Sequence, residues 1–206
     1  MSKVIIIGAG AAGIMAAVSS ALNGHTVSIY EKNDRIGRKL YITGKGRCNI
    51  TNAADMKTIM ENVVNNSKFL YSAFKQFDNQ DVVEMLENAG CPTKVERGNR
   101  VFPVSDKSSD VIKAFQKILS ELSVEVNLKA EVSSLIIEDS ICKGIKLADK
   151  SIYADAVIVA TGGRSYPGTG STGDGYRFAK NSGHKVGKLY PSLVPFTPVS
   201  YTHLTL

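Results

Sequence analysis

The sequence predicts an α/β fold built on a parallel sheet, and three observations carry that reading. A short β-branched run, Lys3–Ile7, is followed at once by three closely spaced glycines and a helix-forming stretch. A second apolar run, Thr26–Tyr30, opens a few residues after that stretch ends. Beyond a long helical pattern at 108–122, short apolar runs return, and the last, Ala156–Ala160, ends in another pair of glycines. Short strands alternating with helix-length segments are the signature of a parallel sheet with helices packed on it.

Each element follows from local chemistry. In Gly8-Ala9-Gly10-Ala11-Ala12-Gly13, a G-x-G-x-x-G directly after a strand, Gly8 supplies the tight turn, Gly10 lets a pyrophosphate approach the main chain, and Gly13 lets the next helix pack close to the strand. That helix, about Ala11 to Asn23, has Ile14, Ala17, Val18 and Ala21 on its apolar face and Gly24 as a left-handed stop. Its amino terminus, with Ala11 and Ala12, offers unpaired N–H groups and a partial positive charge to phosphates. The second strand ends in Glu31, eighteen residues past Gly13, where an acid accepts hydrogen bonds from adenosine ribose hydroxyls and repels a 2′-phosphate. Strand, glycine turn, helix, strand and acid in register predict a Rossmann-like unit that binds an adenine dinucleotide.

The middle of the chain reads as helices at 55–64, 68–77 and 80–89, the last with Val82, Val83, Leu86 and Ala89 on one side. Thr93–Glu96 and Arg100–Val104 flank a hairpin turn at Arg97-Gly98-Asn99. Ser108–Leu122 is an amphipathic helix with Val111, Ala114, Phe115, Ile118 and Leu122 inward, and Val124–Leu128 is the third parallel strand. Three short strands, Val132–Glu138, Ile141–Leu147 and Ser151–Tyr153, form a β-meander crossover before Ala156–Ala160 returns to the sheet. A nicotinamide fold normally uses a helix at that crossover, so the meander points to a flavin. Residues 162–187 hold eight of the 18 glycines, with Thr172-Gly173-Asp174-Gly175 capping a helix to Asn181 and the segment forming a pocket wall.

Composition narrows the function classes. With 206 residues, 43% hydrophobic and 21% charged, the chain is globular. Cys48, Cys91 and Cys142 are too widely spaced for a disulfide framework or thiol shuttle, and His25, His184 and His203 show no zinc spacing, so no metal is expected. The uncharged stretch Val4–Leu22 has the length of a membrane span, but eleven of its nineteen residues are Gly, Ala or Ser. No membrane partner is expected. No nucleophile elbow, H-E-x-x-H or P-loop lysine motif appears, which leaves hydrolases and NTPases without support. The net charge is +6, and between Lys32 and Arg47 six cations face the single anion Asp34, which predicts a local anion site rather than a nucleic-acid coat. Around Gly44 and Gly46, successive N–H groups beside Lys45 and Arg47 suggest a second anion nest, with a solvated basic loop as the alternative.

The run Gly37-Arg38-Lys39-Leu40, Thr43-Gly44-Lys45-Gly46-Arg47-Cys48-Asn49 and Thr51-Asn52 resembles the signature of one bacterial flavoprotein family, which includes the BaiN-type 3-dehydro-bile-acid reductase and aminoacetone-oxidase-like proteins. Ala160-Thr161-Gly162-Gly163 and the segment from Tyr166 to Gly183-His184 agree with it, so the resemblance covers about Lys3 to Pro195. It implies FAD, with Glu31 on the adenosine ribose, Lys32, Arg38, Lys39, Thr43, Gly44, Gly46, Arg47, Cys48 and Asn49 beside pyrophosphate and flavin, Val132 near the adenine through its main chain, and Ala160, Thr161 and Gly162 at the flavin. The expected organisation is one FAD-binding domain over 1–195 with a mostly helical insertion at 55–104. Residues 196–206 are expected to start a missing substrate domain or to be a foreign tail, because family members run to about twice this length and the reading frame looks truncated. The resemblance favours a cytoplasmic oxidoreductase that reduces a conjugated carbon–carbon double bond of a small organic substrate, with NAD(P)H as diffusible donor. Amine oxidation by oxygen, a non-catalytic flavin-binding or RNA-associated module and a plain NAD-binding domain are the alternatives. No catalytic residue is assigned: Cys48, His184, Arg164 and Tyr166 each have an ordinary structural reading.

Overall fold

A computed structural model describes residues 1–190, so the expected change of character at 196–206 lies outside the described residues. Four parallel strands, β1 (Lys3–Ile7), β2 (Thr26–Glu31), β6 (Glu125–Leu128) and β10 (Ala156–Val159), form the main sheet in the order β10-β1-β2-β6. Registers run Ile7↔Val159 and Ile7↔Tyr30, with Glu31↔Leu128 on the next pair, so the carboxyl ends of all four strands share one edge.

Alternation along β1 divides the core. Val4 and Ile6 join the cluster formed with α1 (Ala11–Leu22) and α5 (Ser108–Glu121), while Ile5 and Ile7 join a second cluster on the opposite face. A strand buried on both faces must be apolar at every position, which is why Val-Ile-Ile-Ile shows no polar alternation. Each fully buried isoleucine contributes about 1.5–3 kcal/mol. The second face is covered by the antiparallel meander β7 (Ser134–Glu138), β8 (Ile141–Lys146) and β9 (Ser151–Tyr153), through Leu135, Ile145 and Ile152. Its ladder shifts register between Ile136 and Ile137, opposite Gly144 at φ +155°.

Between β2 and α5 the chain forms β3 (Thr51–Asn52), three helices and a hairpin: α2 (Met56–Glu61), α3 (Ser67–Gln76), α4 (Asn79–Asn88), β4 (Thr93–Glu96) and β5 (Arg100–Pro103). The predicted turn closes this hairpin with Gly98 and Asn99 at positive φ, and a two-residue strand that the sequence reading lacked, β3, pairs with β5. Asp78 caps α4 in a reciprocal box with Asp81. The inward stripe of α4 is Val82, Met85, Leu86 and Ala89 rather than one that includes Val83. On α5, Ile112 and Leu119 are buried in addition to the expected residues, whereas Leu122 is only partly covered. The last helix, α6 (Asp174–Asn181), starts and ends where expected, with Gly173 of the Thr172–Gly175 segment as its N-cap at φ +89° and no side-chain hydrogen bond at the cap. Thr172 donates instead to the Asp174 carboxylate, 2.9 Å away. Among the described residues, no helix is long and apolar enough to cross a membrane.

The glycine turn is the tightest place in the fold. Gly8 sits at φ +103°, and a Cβ there would lie 2.6 Å from the Ala160 carbonyl oxygen. A Cβ on Gly13 would run into the Gly8 carbonyl. Gly13→Val is therefore expected to destabilise the protein by about 1–3 kcal/mol, the usual cost of overpacking, measured by urea denaturation. An unchanged midpoint would show that α1 does not rest on the turn.

Candidate dinucleotide-binding site

At the carboxyl edge of the main sheet lies a cleft of about 670 Å³, within the usual size range of small-molecule sites. Its floor is the end of β1 and the turn after it: Ile7, Gly8, Ala9, Gly10, Ala11 and Ala12 all line it. Gly10 is the N-cap of α1 in extended conformation, and no side chain caps that helix end. The first-turn N–H groups thus have no partner within the helix, which accepts its first bond at Gly10 from Ile14 N–H, 2.9 Å away. A Cβ on Gly10 would meet no atom of the described residues within 4 Å. Packing and backbone conformation alike leave position 10 free, so its glycine clears space in the cleft itself.

Glu31 ends β2 in the cleft wall, 7% exposed. Its Oε2 accepts from the Ala9 N–H at 2.7 Å, and its Oε1 accepts from Asn33 N–H at 2.8 Å and Asn33 Nδ2 at 2.7 Å. The turn after β1 and the acid after β2 are therefore joined by a direct hydrogen bond. Val132, 5% exposed, lines the cleft from the chain after β6, and Ala160, Thr161 and Gly162 line it from the start of the segment after β10. The Thr161 hydroxyl is buried with no hydrogen-bond partner among the described residues.

The basic stretch divides in two. Lys32, Arg38, Lys39 and Thr43 line the cleft. Lys32 Nζ donates to Thr172 Oγ1 and Asp174 Oδ2, both at 2.7 Å, and Lys39 Nζ donates to the Ser165 carbonyl at 2.8 Å and Ser171 Oγ at 2.7 Å. These bonds fasten the glycine-rich segment 165–174 along the cleft. Burial alone would raise the Asp174 carboxyl pKa, but hydrogen bonds from Lys32, Thr172 and Arg177 outweigh it and hold it below the ordinary aspartate value. A depressed folded pKa means that this anchoring is fully present above the ordinary aspartate range and fades as pH falls through the lowered value.

The other half is turned away. Arg47, expected at the cofactor, does not line the cleft. Its guanidinium donates to both Glu96 oxygens (2.8 and 3.2 Å) and to Asp106 at 3.1 Å, and stacks 4.0 Å over the Phe102 ring. Lys94 completes the cluster on Asp106 at 2.6 Å. The Arg47 hydrogen bond holds the Glu96 carboxyl below its usual range, and the Lys94 bond does the same for Asp106. Gly44, Gly46 and Asn49 also lie outside the cleft lining. Gly44 and Gly46 are at φ +57° and +86°, and a Cβ on Gly44 would lie 2.9 Å from both the Asn49 nitrogen and the Phe102 ring. Their glycines serve a left-handed turn. Cys48, 1% exposed at φ +62°, sits in the α1–α5 core, where burial pushes its thiol pKa up and favours the neutral thiol. Gly13 packs beneath Gly8 and does not line the cleft.

Asn33 and Glu131 line the cleft without a sequence signal that singles them out, whereas Ser171 and Asp174 belong to the segment expected to form a pocket wall. Asp174 and Ser171 meet the basic loop only across more than 130 positions, a pairing with no local signal. With Glu31, Glu131 and Asp174 set against Lys32, Arg38 and Lys39, the charges lining the cleft balance. Among the described residues, no group of three or more His, Cys, Asp or Glu is placed to hold a metal ion. Asp174→Asn is expected to loosen the 165–174 segment, speeding its amide hydrogen exchange roughly 2- to 5-fold. Exchange unchanged in that segment would show that the Lys32 contact does not hold it.

Comparison with known proteins agrees with this geometry. Residues 2–202 match the HI0933-like protein Rossmann domain. The chain is 32% identical over 198 residues to the 3-dehydro-bile acid delta(4,6)-reductase of Clostridium scindens, covering 94% of this chain and 47% of that protein. It is 31% identical over 199 residues to a ribosomal RNA dihydrouridine synthase of Haemophilus influenzae, covering 95% and 49%. The chain thus spans about half the length of the curated relatives it matches. Among solved structures, the 3-ketosteroid-delta4-(5alpha)-dehydrogenase of Rhodococcus jostii RHA1 superposes with a TM-score of 0.60 at 16% identity, covering 80% of this chain and 46% of the other. A flavocytochrome c3 fumarate reductase gives 0.58 at 23% identity, covering 88% and 40%. These two likenesses show the fold. Sequence match, parallel sheet and glycine turn together place the chain in the HI0933-like Rossmann family.

Proposed function

We propose that this chain supplies the FAD-binding part of an oxidoreductase that reduces a carbon–carbon double bond conjugated to a carbonyl, drawing electrons from NAD(P)H. The observation that carries the reading is the uncapped amino end of α1 beside Gly10, a position whose glycine no protein neighbour requires. That end fits a pyrophosphate, because N–H groups and the helix dipole favour an anion there. Three features extend the fit to the rest of FAD: an acid at the end of β2, the meander crossover, and the unpartnered Thr161 hydroxyl on the wall after β10. Ala11 and Ala12 would hold the pyrophosphate through their main chain, Glu31 the adenosine ribose and Val132 the adenine edge. Ala160, Thr161 and Gly162 would lie toward the flavin.

When bound, FAD supplies two-electron hydride chemistry, and the protein binds, orients and excludes water around it. The reaction class rests on the relatives. One is named for reducing delta(4,6) bonds of a 3-dehydro bile acid and the other for making dihydrouridine. A double bond next to a 3-oxo group and the 5,6 double bond of uracil are both conjugated to a carbonyl, and saturating each such bond needs one hydride and one proton. A small-molecule substrate and a cytoplasmic setting go with this reading, as does one FAD-binding domain over 1–195 with 55–104 inserted.

The second reading is a uracil base in RNA as the substrate, favoured by the ribosomal RNA relative. Against it, Lys32 and Arg47 are already paired with Asp174, Glu96 and Asp106. Salt separates the two: RNA held by several cations loses affinity steeply with ionic strength, whereas a small neutral enone does not.

The purified protein is expected to be yellow and to release FAD on denaturation, and Glu31→Gln is expected to weaken FAD binding by about tenfold or more, the loss of a charge-assisted hydrogen bond. Anaerobic mixing with NADPH or NADH and a 3-oxo-4,6-diene steroid or ribosomal RNA then reads the substrate class. A colourless protein that takes up NAD and ignores FAD would overturn the proposal.

A further inference from the structure

The Glu31 carboxylate is nearly full. A carboxylate offers about four lone-pair sites. Two on Oε1 are taken by Asn33 N–H and Asn33 Nδ2, and one on Oε2 by the Ala9 N–H. A ribose diol brings two donors, so one occupant must leave. Ala9 N–H is fixed in the glycine turn and Asn33 N–H in the loop backbone. Only the Asn33 side-chain amide can rotate away.

That amide has a second partner. Asn33 Nδ2 also donates to the Thr169 carbonyl at 3.2 Å, and Asn33 Oδ1 accepts from Arg38 Nη1 at 2.8 Å. One side chain thus joins the acid, a cleft-lining cation and the 165–174 segment. The approach is close from the other side as well: Gly170 is at φ +97°, and a Cβ there would lie 2.6 Å from Asn33 Nδ2 and 3.3 Å from Lys32 Cε. The segment has no side chain at the point where it meets the amide.

We infer that Asn33 is a latch. Its amide occupies the ribose-diol acceptor on Glu31 and ties Thr169 to the cleft wall, so entry of an adenosine and release of Thr169 are one event. Lys32 and Lys39 keep the segment attached at its flanks while its centre lets go. The latch opposes loading, because the diol competes with a bond the protein makes to itself. Asn33 is a positioning residue, acting on the cofactor through Glu31. The inference rests on the reading of Glu31 as the ribose acceptor.

The test is a flavin titration of cofactor-stripped protein by fluorescence quenching, with hydrogen exchange over 167–171 measured alongside. Asn33→Ala keeps the backbone donor and removes the competitor, so FAD is expected to bind about fivefold more tightly than to wild type. FMN, which has no adenosine ribose, is expected to bind both proteins alike. Exchange at 167–171 in Asn33→Ala without cofactor should match that of wild type with FAD. Asn33→Ser, which shortens the side chain and keeps it polar, should shift FAD binding in the same direction. FAD binding to Asn33→Ala that equals or falls below wild type, with Glu31→Gln still weakened, overturns the latch alone. Glu31→Gln that binds FAD as wild type does overturns the ribose reading beneath it.

Discussion

The structure depends on one close approach: the turn after β1, where Gly8, Gly13 and Ala160 meet with no room for a side chain. The Gly8 N–H bonds the Tyr30 carbonyl of β2 at 2.8 Å, and the Ala160 N–H bonds the Ile7 carbonyl at 2.9 Å. Two neighbouring strands and one helix are thus fixed at a single point. Because α1 starts there, its free N–H groups are carried to the carboxyl edge of the sheet. Because β2 ends there, Glu31 reaches the Ala9 N–H. The cleft follows from that packing, and the flanking loops adjust to it.

Charge shows how a linear pattern and a folded one differ. Six cations between Lys32 and Arg47 look like one anion site in sequence. Folded, four of them serve three tasks. Arg47 locks the left-handed turn to the hairpin through Glu96 and Asp106, Lys32 and Lys39 fasten the segment after β10, and Arg35 pairs with its neighbour Asp34 at 3.2 Å. Beside the cations that still line the cleft, the amino end of α1 adds main-chain donors that no charge count reveals.

The main sheet was legible because its signals are local. β-branched runs, glycine spacing and an acid at a set distance require only neighbouring residues, and β1, β2, β6 and β10 pair in the predicted parallel arrangement. The meander was legible for the same reason, through turns at regular spacing. Long-range pairing was not. Nothing near Asp174 announces Lys32, and Phe102 beneath Arg47 is visible only once β5 is in place. Glycine was the most ambiguous letter. Gly44 and Gly10 look equivalent in sequence, yet a Cβ would strike Asn49 and Phe102 at the first and nothing in the protein at the second.

In the proposed FAD complex, main-chain amides at the start of α1, rather than the basic loop, hold the phosphates. A crystal structure of the protein with FAD tests this most directly. Both phosphates are expected within hydrogen-bonding distance of the Ala11 and Ala12 N–H groups. Phosphates seated instead on Lys32, Arg38 and Lys39, away from α1, would contradict it.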